Sequence, residues 1–171
     1  MRSPGRAALV LATLVVAGTL APAGSARCAP AAPGFRVKLF DSVDQFDSRE
    51  VSGKKVLVLR FQASYCKPCV RESPALGRLV DRYRDRPVEF LAFHVQDTAA
   101  DTRRFIKAQK VTYRVALDPR LAIGNTFGFK GTPYTVVVDL NGEMVAQLHG
   151  ESAVSRLPRI IDGALARAPK G

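Results

Sequence analysis

Apolar positions along the chain switch between two rhythms. Residues 56–61 (V-L-V-L-R-F) form a nearly unbroken apolar run, which predicts a strand buried on both faces. Residues 88–95 (V-E-F-L-A-F-H-V) and 134–139 predict two more strands. After the first strand the period lengthens. Leu76, Leu79, Val80 and Tyr83 fall at i, i+3, i+4 and i+7, and predict an amphipathic helix running to about Arg84. Pro74 lies inside that helix and removes one of its hydrogen bonds, so a kink is expected there. Thr98 with Asp101 reads as the N-terminal cap of a helix reaching Gln109. Residues 115–117 predict a short strand and 121–127 a short helix. Asn141-Gly142 is a hairpin signal, with 143–148 as the returning strand. Leu157, Ile160, Ile161 and Leu165 mark a final helix over 155–166. Ahead of all this, 36–40 alternates weakly as a short edge strand, and 41–53 is polar and turn-rich with room for one helical turn. Parallel strands need crossover helices, and the hairpin has to be antiparallel. The order therefore predicts an α/β fold: a central mixed sheet flanked by helices on both faces.

The N-terminus has a different character. Arg2 and Arg6 precede an apolar stretch over 7–20, and Gly24-Ser25-Ala26 offers small residues for cleavage. The stretch is shorter than the ~20 residues that span a bilayer. Residues 1–26 therefore read as a signal peptide, residues 27–34 as a linker containing Pro30, Pro33 and Gly34, and residues 35–171 as one domain. If the segment stays uncleaved, it would leave the protein associated with a membrane. Cleavage after Ala26 would shorten the chain from 171 to 145 residues and lower its net charge from +11 to +9. The basic residues are scattered among acids, which describes a solvated surface rather than a dedicated anionic partner. Nucleic acid is not an expected partner of an exported chain without a basic cluster. Export would also place the domain where disulfides persist.

Three cysteines make an odd count. Cys28 lies near the presumed new N-terminus and is preceded by Arg27 and Ser25, a poor context for a lipid-modified cysteine. Cys66-Lys67-Pro68-Cys69 is the informative pair. It falls between a strand and a helix, so Cys66 occupies a helix N-terminus, where free N–H groups and the helix dipole favour an anion. A thiolate is that anion, and it is the attacking species in disulfide exchange. A structural bridge of this span would close too small a loop to stabilise much. A zinc site needs two further ligands, for which only His94, His149 and Cys28 are obvious candidates. Both histidines read as ordinary residues, His94 as a partly exposed one.

At this point the chain resembles a known family. Phe61-Gln62-Ala63-Ser64-Tyr65-Cys66-Lys67-Pro68-Cys69-Val70-Arg71-Glu72-Ser73-Pro74 is similar to the signature of the TlpA/ResA-like exported thioredoxins. So is Gly131-Thr132-Pro133-Tyr134-Thr135-Val136-Val137-Val138-Asp139 with the following Asn141-Gly142, and Leu117-Asp118-Pro119 also fits. The resemblance runs from about Phe35 to Ala166. It implies a thioredoxin fold with an extra strand-helix insertion near 96–110. It implies that Pro133 is a cis-proline beside the disulfide, with Thr132 helping to grip substrate and Tyr65 completing the candidate substrate-binding set. Glu72 matches a glutamate that tunes the cysteines in ResA-like members. The chain departs from the family in lacking tryptophan, with Gln62 and Tyr65 at the usual positions. It also carries Arg60 where thioredoxins have Asp and this family often Asn.

The resemblance favours a thiol-disulfide oxidoreductase that reduces disulfides of exported proteins, of the kind serving cytochrome c maturation or metal-centre assembly. Cys66, Cys69 and Glu72 are the candidate catalytic residues, Cys66 and Cys69 form the redox disulfide, and no cofactor is needed. Lys67 adds a cation beside Cys66. Protein disulfides or dithiols would be the substrates, and a membrane electron-donor protein the supplier of reducing equivalents. The alternative is a thioredoxin-fold metallochaperone holding copper on the cysteine pair, since Cu(I) favours thiolates. Arg60 and Glu72 lie on the strand entering and the helix leaving the motif, and a contact between them is expected to offset the cost of burying either charge alone.

Overall fold

The computed structural model describes residues 29–167. Residues 1–26, which the sequence reads as a signal peptide, and Cys28 lie outside the described residues. Twelve elements follow one another: β1 (Arg36–Lys38), β2 (Gln45–Asp47), α1 (Ser48–Val51), β3 (Val56–Gln62), α2 (Lys67–Arg82), β4 (Val88–Val95), α3 (Ala99–Gln109), β5 (Arg114–Asp118), α4 (Ala122–Thr126), β6 (Tyr134–Val138), β7 (Met144–His149) and α5 (Ala153–Leu165).

Five strands form the central sheet in the order β5-β4-β3-β6-β7. The pairs β3/β4 and β4/β5 are parallel, each joined by a crossover helix, while β6 and β7 run antiparallel. The strong strands lie where their apolar runs put them, and β3 is buried at all seven positions. Thr98 caps α3 by accepting a hydrogen bond from the Asp101 N–H. The stretch from 36 on does not edge the main sheet. β1 pairs with β2 in a separate two-stranded ribbon, and just past β1 the chain meets β5 through a Leu39–Ala116 bridge and a Phe40 N–H to Val115 carbonyl bond. The inserted unit runs helix first and strand second, so it extends past 96–110 to Asp118. α2 continues as one helix through Pro74. Within 27–34, Ala31 bridges to Glu143, and the backbones of Pro30 and Ala32 bond Met144 and Gly142.

Side chains alternate across the sheet and divide the core in two. One cluster packs Val56, Val58, Phe90 and Val137 under α2 and α5, where Leu76, Leu79, Leu157 and Ile161 face inward. The other packs Leu57, Leu59, Phe61, Phe93 and Val136 against Phe35, Phe46 and Phe127, and contains both Cys66 and Cys69. The cysteines thus sit at the carboxyl end of β3, where α2 begins. Gly131 has φ 146°, a conformation open to glycine and strained for other residues, and it leads into a cis Thr132–Pro133 peptide bond.

Candidate active site

Cys66 and Cys69 are joined in a disulfide with their Cα atoms 5.2 Å apart. Cys66 is the N-cap of α2, with extended backbone (φ −79°, ψ 99°), and Lys67-Pro68 opens the helix. Proline suits the first turn, because its missing N–H would have had no partner there. The Cys69 N–H donates to the Cys66 sulfur over 3.2 Å. A serine or aspartate oxygen usually fills this capping role; here sulfur fills it, and a thiolate formed on reduction would inherit the bond. In the oxidised protein both cysteines are buried, at 4% and 1% exposure, so Cys66 is only slightly the more open of the two.

The expected contact between Arg60 and Glu72 is present, with guanidinium and carboxylate 2.5 Å apart. Arg60 is buried within β3, and its Nη1 donates to the Thr135 hydroxyl on β6 over 2.9 Å. The second Glu72 oxygen accepts the Ser152 N–H, at the start of α5, over 3.0 Å. The carboxylate on α2 therefore joins β3 to the start of α5, and Arg60 carries the link on to β6. Neither Thr135 nor Ser152 is visible as a partner in the sequence, because each bond spans a long separation along the chain.

A second polar chain runs along the other flank. His94 is not the partly exposed residue its strand-end position suggested. It is fully buried between β3 and α3, with its ring edge-on to Phe105. Its Nδ1 lies 2.7 Å from Asp97 Oδ2, and its Nε2 lies 2.9 Å from the Gln62 amide nitrogen. Asp97 also accepts the Ser64 N–H at 2.7 Å and the Ser64 hydroxyl at 2.8 Å. These contacts are met by a neutral imidazole that donates from Nδ1 to the carboxylate and accepts from Gln62. Burial holds the His94 pKa below its ordinary 6.5, against the opposing pull of Asp97. Asp97 was not among the sequence candidates. Its only sequence signal was a carboxylate between a strong strand and a helix cap.

The remaining candidates lie on separate segments of the chain. Tyr65 is 61% exposed, with its hydroxyl 3.4 Å from Gln96 Oε1, and it borders a groove of about 320 Å³ shared with Val70 and Phe105. Pro133 is held through its carbonyl, which accepts the Gly150 N–H over 2.9 Å. His149 is exposed and stacks on the Tyr134 ring at 4.2 Å, next to Pro133. Among the described residues, no group of three or more His, Cys, Asp or Glu side chains could hold a metal ion.

Two outcomes follow from the flanking networks. Arg60→Met removes the cation facing a largely buried carboxylate and is expected to cost about 3–5 kcal/mol, of which adding Glu72→Leu should restore a large part. Urea midpoints of parent, single and double variants measure this, and a double variant no more stable than the single one would contradict it. For His94, the unfolded chain binds a proton below pH 6.5 and the folded protein does not. Stability should therefore fall as pH drops from 6.5 toward the lowered folded value. In His94→Gln this part of the slope should vanish, and equal slopes for both proteins between pH 7.5 and 5.5 would rule it out.

Known proteins resemble this chain in sequence and in fold. The model of the Redoxin family matches residues 17–160. The thiol-disulfide oxidoreductase ResA of Bacillus thuringiensis (strain Al Hakam) is 29% identical over 126 residues, covering 74% of this chain and 72% of that protein. A thiol:disulfide interchange protein of the thioredoxin family from Chlorobium tepidum TLS superposes with a TM-score of 0.71 at 24% identity, over 81% of this chain and 97% of its own. A secreted Mycobacterium tuberculosis disulfide oxidoreductase homologous to E. coli DsbE superposes with a TM-score of 0.67 at 16% identity, over 75% and 95%. The two structural likenesses establish a thioredoxin-like fold, while the family match spans most of the sequence and includes the Cys66–Cys69 pair. The chain belongs to the Redoxin family, and its chemistry is that of a ResA-like thiol-disulfide oxidoreductase.

Proposed function

We propose that this protein reduces disulfides in exported proteins, with Cys66 as the attacking thiol and Cys69 as the resolving one. The observation that carries the reading is the place of Cys66 at the α2 N-terminus, with the Cys69 N–H directed at its sulfur. A thiolate is stabilised there and nowhere else in the motif, since Cys69 lies inside the first turn. In the reduced protein the Cys66 thiolate attacks one sulfur of a substrate disulfide. That disulfide breaks, its other sulfur leaves as a thiolate and takes up a proton, and Cys66 is left in a mixed disulfide. Cys69 then loses its proton and attacks Cys66. The mixed bond breaks, the second substrate thiol is released, and the Cys66–Cys69 disulfide closes. Two electrons have passed from protein to substrate.

Glu72 follows Cys69 by nearly one helical turn and is the proposed group for handling the Cys69 proton, tempered by its partnership with Arg60. Exposed Tyr65, half-buried Thr132 and the buried Pro133 that follows it in sequence would receive the substrate chain, and the groove beside Tyr65 offers it a path. Residues 1–26 have the pattern of a signal peptide, and one of the structural relatives is a secreted protein. Repeated turnover outside the cytoplasm requires an outside source of electrons, for which a membrane-bound dithiol protein is the proposed donor. Among the described residues, no helix is long and apolar enough to cross a membrane itself.

Cys66→Ser is expected to reduce disulfide exchange to the uncatalysed background. Cys69→Ser should still attack and accumulate mixed disulfides on Cys66, read by non-reducing gels and peptide mass spectrometry. Trapping on Cys69 in the Cys66→Ser variant would reverse the two roles. Equilibration with glutathione separates a reductant from an oxidant: a pair that is mostly dithiol in balanced buffer would oppose the proposed direction. For export, N-terminal sequencing of processed protein should start near Arg27, and cytoplasmic protein retaining Met1 would exclude it.

A further inference from the structure

We infer that Asp97 is the positioning residue of the redox turn: it holds residues 63–65 so that Cys66 enters α2 with its sulfur facing the Cys69 N–H. The inference deepens the proposed role of Cys66 as attacking thiol and rests on that role.

The favourable site for a thiolate depends on a narrow geometry. Cys66 must keep its N-cap dihedrals, and its sulfur must lie within reach of an N–H three residues on. Within the turn itself, the backbone supplies one bond, from the Cys66 N–H to the Ala63 carbonyl over 3.2 Å. The stronger hold comes from outside. Ser64 gives its N–H to one Asp97 oxygen and its hydroxyl to the other, at 2.7 and 2.8 Å. Two bonds to two oxygens fix orientation as well as position, and bonds to an ionised acceptor are the strong kind. The next residue back from Asp97 holds the next residue on from Ser64, since the Tyr65 hydroxyl points at Gln96 Oε1. Gln96 has φ 54°, an uncommon value for a residue other than glycine. The β4–α3 loop is thus bent into the shape that meets the redox turn.

The clamp has its own support. Asp97 has a side chain only 2% exposed and takes a third bond from His94 Nδ1 at 2.7 Å. His94 in turn is fixed by Gln62 and Phe105. Burying a carboxylate is costly even when it is bonded, and apolar packing would serve a core equally well. Nor does the charge help the sulfur directly, because a negative group near Cys66 opposes a thiolate. The benefit lies in geometry, and this fixes the sign of the test.

The test is the rate at which iodoacetamide alkylates the reduced full chain as a function of pH, with peptide mass spectrometry resolving Cys66 from Cys69. In Asp97→Asn the bonds lose their ionised acceptor, and the amide nitrogen keeps its place only by donating to the Ser64 hydroxyl, whose bond is then reversed, so the clamp weakens. The Cys66 midpoint is expected to rise by about half a unit as the sulfur loses its alignment with the helix terminus. Ser64→Ala removes only the hydroxyl bond and should shift the midpoint the same way by less. It keeps the test open if Asp97→Asn fails to fold. Lys67, the cation beside Cys66, is unchanged in the parent and in both variants. A fall in the midpoint would mean that the lost negative charge outweighs any positioning, and an unmoved profile would mean that Asp97 only stabilises the fold. Either result overturns the inference. If the parent itself is alkylated first on Cys69, the role proposed for Cys66 has failed instead.

Discussion

A cation buried in the middle of a sheet needs an anion, and here that need governs how the rest of the molecule assembles. Arg60 lies in β3, flanked by β4 and β6, with almost no access to water. Left unpaired, it would cost more than a domain of this size can spare. Glu72 answers it from α2, and the same carboxylate accepts the N–H of Ser152, the N-cap residue of α5. Because Glu72 is three residues beyond Cys69, satisfying Arg60 also fixes the rotation and height of α2 over the sheet. The cysteines are therefore placed partly by an ion pair whose hydrogen bonds go to Thr135 and Ser152.

The second carboxylate acts from the opposite side of the motif. Asp97 grips Ser64, two residues before Cys66, while Glu72 grips its partners three residues after Cys69. Between these two anchors runs the redox turn. Both anchors use side chains from the same buried layer: Arg60 and Gln62 alternate on one face of β3, and His94 lies beside Gln62 in register on β4. Apolar packing alone would leave this end of the sheet free to slide by small amounts. Hydrogen bonds of fixed length remove that freedom, and disulfide exchange needs a fixed approach to the sulfur.

The sequence discloses what depends on neighbours along the chain. Strand β4 and helix α3 lie within the bounds their patterns predict, because an apolar run and a Thr98–Asp101 cap are local facts. The Cys66-x-x-Cys69 spacing places the redox pair for the same reason. The Arg60–Glu72 pair was legible because a charge inside an apolar strand has few ways to be satisfied. What stayed hidden was non-local. Gln62 meets His94 only after β3 and β4 pair, and Asp97 meets Ser64 only after the loop following β4 folds back. His94 did carry a signal. It shares strand parity with Phe90 and Ala92, which face the core under α2, so an exposed reading set its polarity above its position.

Replacing the usual acid or amide six residues before the first cysteine with Arg60 also changes the field at the sulfurs. A lone buried carboxylate there would repel each thiolate that forms on reduction. The Arg60–Glu72 pair is neutral as a unit, and its field falls off faster with distance than that of a single charge. The positive influence on Cys66 is then left to groups close at hand: the α2 terminus, the Cys69 N–H and exposed Lys67. Such influences depend on direction over a few ångströms, the helix terminus fading beyond its first turn. A motif that relies on them gains little from a distant charge and much from being held still, which is the work the two flanking carboxylates divide between them.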